Sequence, residues 1–441
     1  MKTLLIKNGV VVTMNPKREI FTGDILIKDD KIERIEDKIE VETDEVIEAS
    51  GCAITPGFIQ PHIHLTQRLF QGLADDLHLL DWLKKKIWPC EANHTYETNY
   101  ISATLGIAEL ISCGTTSIVD MGTVRHTEAI FKAIEETGFR ALAGKCMMDY
   151  GKGVPAQLLE DTEESIKESE KLINKWHKSA EGRIEYAFAP RFVVSCTQKL
   201  LSRVADMAKS MNLKIHTHAS ENLGEIALVE AERGLRNIKY LKKLGLTGKN
   251  LILAHCIWLD EEEKKILADS KTMIVHCPSS NLKLASGIAQ IPELLKLGCN
   301  ISIAADGSPC SNNLNIFTEM RHAALIQKTR LLDSTVMPAE TVFEMATLEG
   351  AKAMGKEKEI GSIERGKKAD IAVIKLNTPH NSPGVGRNII SRIVYAANAA
   401  DVSATVINGK IVMKDRKLVT IDIEPLLADA ERVSQDIISR L

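Results

Sequence analysis

Two histidines stand one residue apart in GFIQPHIHLTQRLFQG, residues 57–72. A second such pair, His216 and His218, opens HTHASE, and Glu221 follows three residues later. His255 in LAHC, His276 in VHCPSSN and Asp306 in AADGSPC extend the set. Side chains on a strand alternate with period two, so His62 and His64 share a face and can hold one divalent cation. His218 offers a third nitrogen and Asp306 a carboxylate. Three histidines, one aspartate and a position left for water make the donor set of a hydrolytic metal site. Glu221, just past a strand end, stands where a carboxylate can take a proton from water and pass it to a substrate. Each residue alone has a plainer reading. A lone HxH fits two polar residues at a strand tip, Glu221 fits a helix start where acidic residues are favoured, and Asp306-Gly307 fits a turn. His216, two residues deeper than His218, reads as barrel filling that bonds a neighbour. His276 reads equally as an orienting residue or a substrate contact. Cys256 and Cys277 read as packing.

These residues need elements that bring them together. Eight apolar runs occupy residues 57 to about 310: GFIQPHIH, TTSIVDM, FRALAGKCMM, RIEYAFAP, LKIHTHAS, NLILAHC, TMIVHC and NISIAADG. Stretches of helical periodicity separate them, such as ETNYISATLGIAELISCG and EESIKESEKLINKWHK. Continuous apolar strands alternating with helices predict a parallel sheet covered by helices. Eight units predict an α/β fold, a (β/α)8 TIM barrel, whose chemistry sits at the C-terminal strand ends. The polar residues named above fall at those ends. Both chain ends read as short strands with turn signals, Asn8-Gly9, Asp29-Asp30 and Asn408-Gly409 among them. The expected organisation is a small β-sandwich built from residues 1–56 and 357–425, a barrel over 57–356, and a C-terminal amphipathic helix over 426–441.

The 441 residues exceed what one small core organises. A net charge of −3 gives no basic face for nucleic acid. No apolar run approaches the roughly 20 residues that span a bilayer. MKTLLIKNGVVVTMN has one early lysine, a short apolar run and no small-residue cleavage site, so no secretory leader is expected. Nine scattered cysteines, none in a CxxC pair, suit reduced thiols and a cytoplasmic setting.

At PGFIQPHIHL, LADDLHLLDWLKKKIWPCE, HTHASE, LAHC, HCPSSNLKLASGIA, AADGSPCSNNLNIFTEMR and GSIERGKKADIAVI the chain resembles the amidohydrolase superfamily. Within it, the chain is similar to the branch of triazine chlorohydrolases and adenosine-type deaminases. The resemblance implies one divalent metal, zinc with iron the alternative, on His62, His64, His218 and Asp306. It implies catalytic roles for Glu221, His255 and Asp306, with Glu221 shuttling a proton to the purine and His255 and Asp306 steadying the attacking oxygen. Glu91 is implied to meet the ribose hydroxyls, while Trp82 and Trp88 either flank the purine or thioether or pack in the core. Arg191 stands where the methylthioadenosine and S-adenosylhomocysteine enzymes usually carry histidine, which leans toward 5′-deoxyadenosine. The implied reaction converts a nucleoside to its inosine analogue plus ammonia. The alternative is hydrolysis of an s-triazine or another heteroaromatic ring such as guanine. Relatives of this kind are often dimers or tetramers, so a homo-oligomer is implied.

Overall fold

The computed structural model describes residues 2–441. Eight parallel strands carry the chemistry: β1 (Phe58–His64), β2 (Thr115–Asp120), β3 (Arg140–Ala143, resuming at Cys146–Met147), β4 (Ile184–Pro190), β5 (Lys214–Ala219), β6 (Leu251–His255), β7 (Met273–His276) and β8 (Asn300–Ile303, resuming at Asp306–Gly307). Neighbours pair in that order, and the resumed end of β8 pairs with β1 through Asp306 beside Ile63 and Gly307 beside His64. That last pairing closes the sheet into a barrel and sets Asp306 against the His62/His64 strand. The eight predicted runs are the eight strands. FRALAGKCMM and NISIAADG read as unbroken strands, whereas each strand is interrupted by two residues near its end. Asp306, just beyond the second break, adopts a φ of +67°.

The covering helices start where the local chemistry favours them. Thr95 accepts the Thr98 amide ahead of Tyr96–Ser112, Asp161 accepts two amides ahead of Thr162–Trp176, and Asn315 accepts the Phe317 amide ahead of Ile316–Leu331. Side-chain acceptors at these positions satisfy amides that have no partner within the helix.

The chain ends meet in one nine-stranded sheet, as expected of a composite domain. Cys52–Pro56 from the N-terminal half pairs antiparallel with Ile371–Lys375 from the C-terminal half. Ile6, Val11, Ile25, Ile27, Ile54, Ile371, Val373 and Val406 fill its apolar core, consistent with a sandwich. Asp29-Asp30 and Asn408-Gly409 are two-residue hairpin turns. Asn8-Gly9 is not a turn. Thr3–Val12 runs straight through it with a register shift, and Asn8 takes the positive φ that marks a bulge. The sheet meets the barrel at a buried ion pair. The Arg140 guanidinium donates to both Asp370 oxygens, at 2.6 and 3.1 Å, and to Asn408 Oδ1 at 3.0 Å. The C-terminal helix, Ile423–Ser439, buries Leu426, Ala430, Val433 and Ile437. It lies along the barrel helix Tyr96–Ser112, where Arg432 reaches Glu97 at 2.7 Å.

Candidate metal centre

The strand ends bring four predicted ligands together. One ligating atom from each of His62, His64, His218 and Asp306 can be chosen so that all lie within 4.8 Å of one another. Asp306 Oδ1 is 3.1 Å from His62 Nε2 and 3.4 Å from His64 Nε2, and His64 Nε2 is 3.3 Å from His218 Nε2. These atoms converge on one point, and His62 Nε2 is buried with no hydrogen-bond partner. A buried polar atom left alone is costly, and a cation at that point would satisfy it. Burial, reinforced by neighbouring histidines, drives the pKa of His64 and His218 well below the ordinary imidazole value. Burial also lowers His62, against the pull of Asp306. Neutral imidazole is the form that ligates metal. Burial disfavours the Asp306 carboxylate, but the histidines around it hold its pKa well below the usual range. Three neutral nitrogens and one carboxylate suit zinc or iron.

Supporting groups fix the ligands' orientations. His62 Nδ1 lies 2.7 Å from His216 Nε2, so His216 takes the neighbour-bonding place expected of it. His218 Nδ1–H points at the Arg191 carbonyl, 2.7 Å away. Ser280 donates to Asp306 Oδ2 at 2.7 Å, and Asp306 Oδ1 accepts the Gly307 amide. Such partners set which ring nitrogen faces the metal.

Glu221 and His255 stand beside the ligands. Their facing atoms are 3.5 Å apart, and His255 Nε2 is 3.8 Å from Asp306 Oδ2. Burial pushes the Glu221 carboxyl up to about 7, against the opposing charge of His255. Burial works to lower the His255 pKa, but Glu221 and Asp306 carry it above the ordinary value. Glu221 does not cap the following helix: Asn222 does, accepting the Gly224 amide. His255 and Asp306 both hold φ near +70°, a costly conformation for non-glycine residues that clusters at functional sites.

These groups line one cavity. Leu79, Trp82, Leu83, Phe192 and Leu284 form its apolar walls, while Gln67 and Arg191 bring polar groups. Trp82 is therefore a wall residue, whereas Trp88 is buried in the core and contributes no wall. Glu91 sits one layer back. Its carboxylate accepts from Arg191 at 2.6 and 3.3 Å and from Gln67 Nε2 at 2.9 Å, and both donors stand between it and the cavity. Sequence reading missed Gln67. Its signal was position, because three residues after His64 on a helical turn it returns to the same side. Its carbonyl oxygen is buried without a partner, and a Cβ on Gly307 would meet that atom at 2.1 Å. His276 ends β7, buried with both ring nitrogens unpartnered, and burial lowers its pKa to about 3. It does not line the cavity. Cys256 and Cys277 are buried.

Similar proteins share this arrangement's fold and much of its sequence. The chain is 40% identical over 436 residues to a 5′-deoxyadenosine deaminase of Methanobrevibacter smithii, covering 99% of this chain and 98% of that protein. It is 37% identical over 439 residues to a 5-methylthioadenosine/S-adenosylhomocysteine deaminase of Thermoanaerobacter pseudethanolicus, covering 99% and 100%. The crystal structure of an adenosine deaminase from Xanthomonas campestris with bound zinc superposes with a TM-score of 0.92 at 30% identity, covering 99% of this chain and 98% of that one. The model of the amidohydrolase family matches residues 53–412, and with that match and these relatives the chain belongs to the amidohydrolase family.

Proposed function

We propose that the protein is a metal-dependent deaminase that hydrolyses the amino group of adenosine-type nucleosides, 5′-deoxyadenosine first among them. One observation carries the reading: four ligating atoms within 4.8 Å of one another, with Glu221 and His255 alongside, face a cavity that has apolar walls on its other sides. A divalent cation, zinc or iron, held by His62, His64, His218 and Asp306 would make water nucleophilic near neutral pH.

The chain's own groups do the rest. Glu221, poised near pH 7, accepts the proton of the attacking water and hands it to the ring nitrogen beside the amino-bearing carbon. Protonation there makes the carbon electrophilic. His255 Nε2 steadies the developing oxygen charge, Asp306 orients the attacking oxygen by accepting its hydrogen bond, and a further proton transfer lets ammonia leave. Trp82, Leu83 and Phe192 flank a planar ring and exclude bulk water, which strengthens every charge interaction inside. The relatives named above support an adenosine-type substrate, and Arg191 in place of histidine supports the 5′-deoxy compound among them.

A second reading, a heteroaromatic amine without ribose such as guanine or a triazine, is favoured by the state of Glu91. Arg191 and Gln67 already occupy most of its acceptor capacity, which leaves little for a pair of ribose hydroxyls.

A panel of 5′-deoxyadenosine, methylthioadenosine, S-adenosylhomocysteine, guanine and chlorotriazines, followed by ammonia release and ring absorbance, tests the proposal. Turnover led by a nucleoside supports it. Turnover confined to guanine or triazines overturns it in favour of the second reading.

A further inference from the structure

The segment PSSNLKLAS after β7 carries no candidate ligand, yet it touches three candidate catalytic groups. Ser280 Oγ donates to Asp306 Oδ2 at 2.7 Å. Asn281 Oδ1 lies 2.9 Å from His255 Nδ1. Ser286 Oγ stands 3.5 Å from Glu221 Oε1. Asp306, His255 and Glu221 come from three different strand ends, and residues 279–286 reach all three.

That stretch is itself clamped. Pro278 opens a short helix, Pro278–Lys283, and the Asn281 amide returns to the Cys277 carbonyl. The Ser286 amide bonds the Asn281 carbonyl at 2.9 Å, folding the segment back on itself. At its head, buried Glu319 accepts the Ser279 amide at 3.0 Å, and Ser279 Oγ meets His322 Nδ1 at 2.9 Å. At its tail, the Trp258 indole donates to the Ser286 carbonyl at 2.7 Å, and a Cβ on Gly287 would meet that ring at 2.8 Å. Ser280, Asn281 and Ser286 are fully buried or nearly so. Buried hydroxyls and carbonyls cost stability unless their bonds are made, and here those of Ser280, Asn281 and Ser286 end on the candidate catalytic groups.

We propose that residues 279–286 form a rigid yoke whose side chains set the mutual orientation of Asp306, His255 and Glu221, with Asn281 as the positioning residue for His255. Asn281 Oδ1 accepts the His255 Nδ1–H, which turns the Nε2 edge toward Glu221 and Asp306. Without that acceptor the ring is free to rotate about its side-chain bonds, and Nε2 loses its place opposite the attacking oxygen. The inference rests on the deaminase reading for its kinetic consequence but not for its geometric one.

The test uses the metal-loaded full chain with Asn281→Ala, Asn281→Asp and Ser280→Ala. Removing an orienting partner costs about 10- to 100-fold, so kcat of Asn281→Ala should fall within that range while KM and one bound metal per chain are kept. Asn281→Asp, which restores an acceptor, should recover most of the loss. In protein labelled with 15N at histidine, the ring signals assigned to His255 by their loss in His255→Gln should move in Asn281→Ala and return toward their original position in Asn281→Asp. Ser280→Ala should lose metal to a competing chelator faster than the parent protein, because its hydroxyl holds a ligand rather than His255. Unmoved His255 signals, or an Asn281→Ala that turns over at the parent rate, would overturn the yoke. If Asn281→Ala does not fold, the ring signals of Asn281→Asp and the chelator race of Ser280→Ala decide it. If the parent turns over no nucleoside, the deaminase reading fails while the spectra and the chelator race still decide the geometry.

Discussion

The bowl at the barrel mouth and the sheet made by the chain ends solve opposite problems. Among the described residues, 2–56 contain no buried side-chain polar atom without a partner and 357–425 contain one, Asn381 Oδ1. The strand ends and the segments just past them hold many: His62 Nε2, His64 Nδ1, Gln67 Oε1, both His276 nitrogens, Asn281 Nδ2 and Ser308 Oγ. The sheet is held by apolar side chains in register, and its polar groups pair or face water. The bowl concentrates buried imidazoles and carboxylates, with strained backbone at His255 and Asp306. Polar cost of this kind is retained where a ligand offsets it. The contrast separates residues that hold the fold from residues proposed to hold the chemistry.

Substitutions sharpen the contrast. The largest effect belongs to the ligands. Asp306→Ala should lose the metal and, with it, activity by more than the about 100-fold that supporting partners cost, measured by elemental analysis and turnover together. Next comes Glu221→Gln, which keeps the metal and should lose about 10²- to 10⁴-fold in kcat, the usual contribution of a proton-transfer group. A Glu221→Gln turning over near the parent rate would remove Glu221 from the mechanism.

On the structural side, Arg140→Ala leaves Asp370 buried and unpaired at the junction of sheet and barrel. Breaking such a pair costs about 3–5 kcal/mol, read from denaturant unfolding, with bound metal per folded chain unchanged. Glu319, under the yoke, is smaller. Burial pushes its carboxyl up to about 7 from an ordinary 4.5. The folded state then holds a proton that the unfolded state has released, so the stabilisation is whole below pH 4.5 and drains away as pH rises to about 7. Across that window the parent should lose up to about 3 kcal/mol relative to Glu319→Gln. Parallel stability curves for the two proteins would contradict it. Smallest is Lys38→Ala on the sheet surface, whose exposed pair with Glu40 should leave the unfolding midpoint unmoved within error.

Much of this was legible in the sequence. The period-two spacing of His62 and His64 gives their common face, and eight apolar runs give the barrel, because strand continuity and helical periodicity are local signals. The place of Asp306 beside β1 follows from barrel closure once eight strands are counted. What stayed hidden depends on contacts between distant segments. Nothing local shows that Gln67 and Arg191 would cover Glu91, or that a polar stretch after β7 would reach three strand ends. Asn8-Gly9 misled for a related reason: the dipeptide supplies a positive φ, and only the partner strand decides between a hairpin turn and a bulge. The break in β3 falls at Gly144, where a Cβ would meet the Ala187 carbonyl oxygen at 1.8 Å, so that glycine was a local signal, whereas Ala304-Ala305 in the break of β8 carry none.

The most direct test of the central claim is to strip the protein with a chelator, count the metal by elemental analysis and follow ammonia release from 5′-deoxyadenosine as zinc or iron is returned. Activity that vanishes on stripping and returns in proportion to metal, saturating at one ion per chain, is the predicted result. Full-rate deamination by metal-free protein would contradict it.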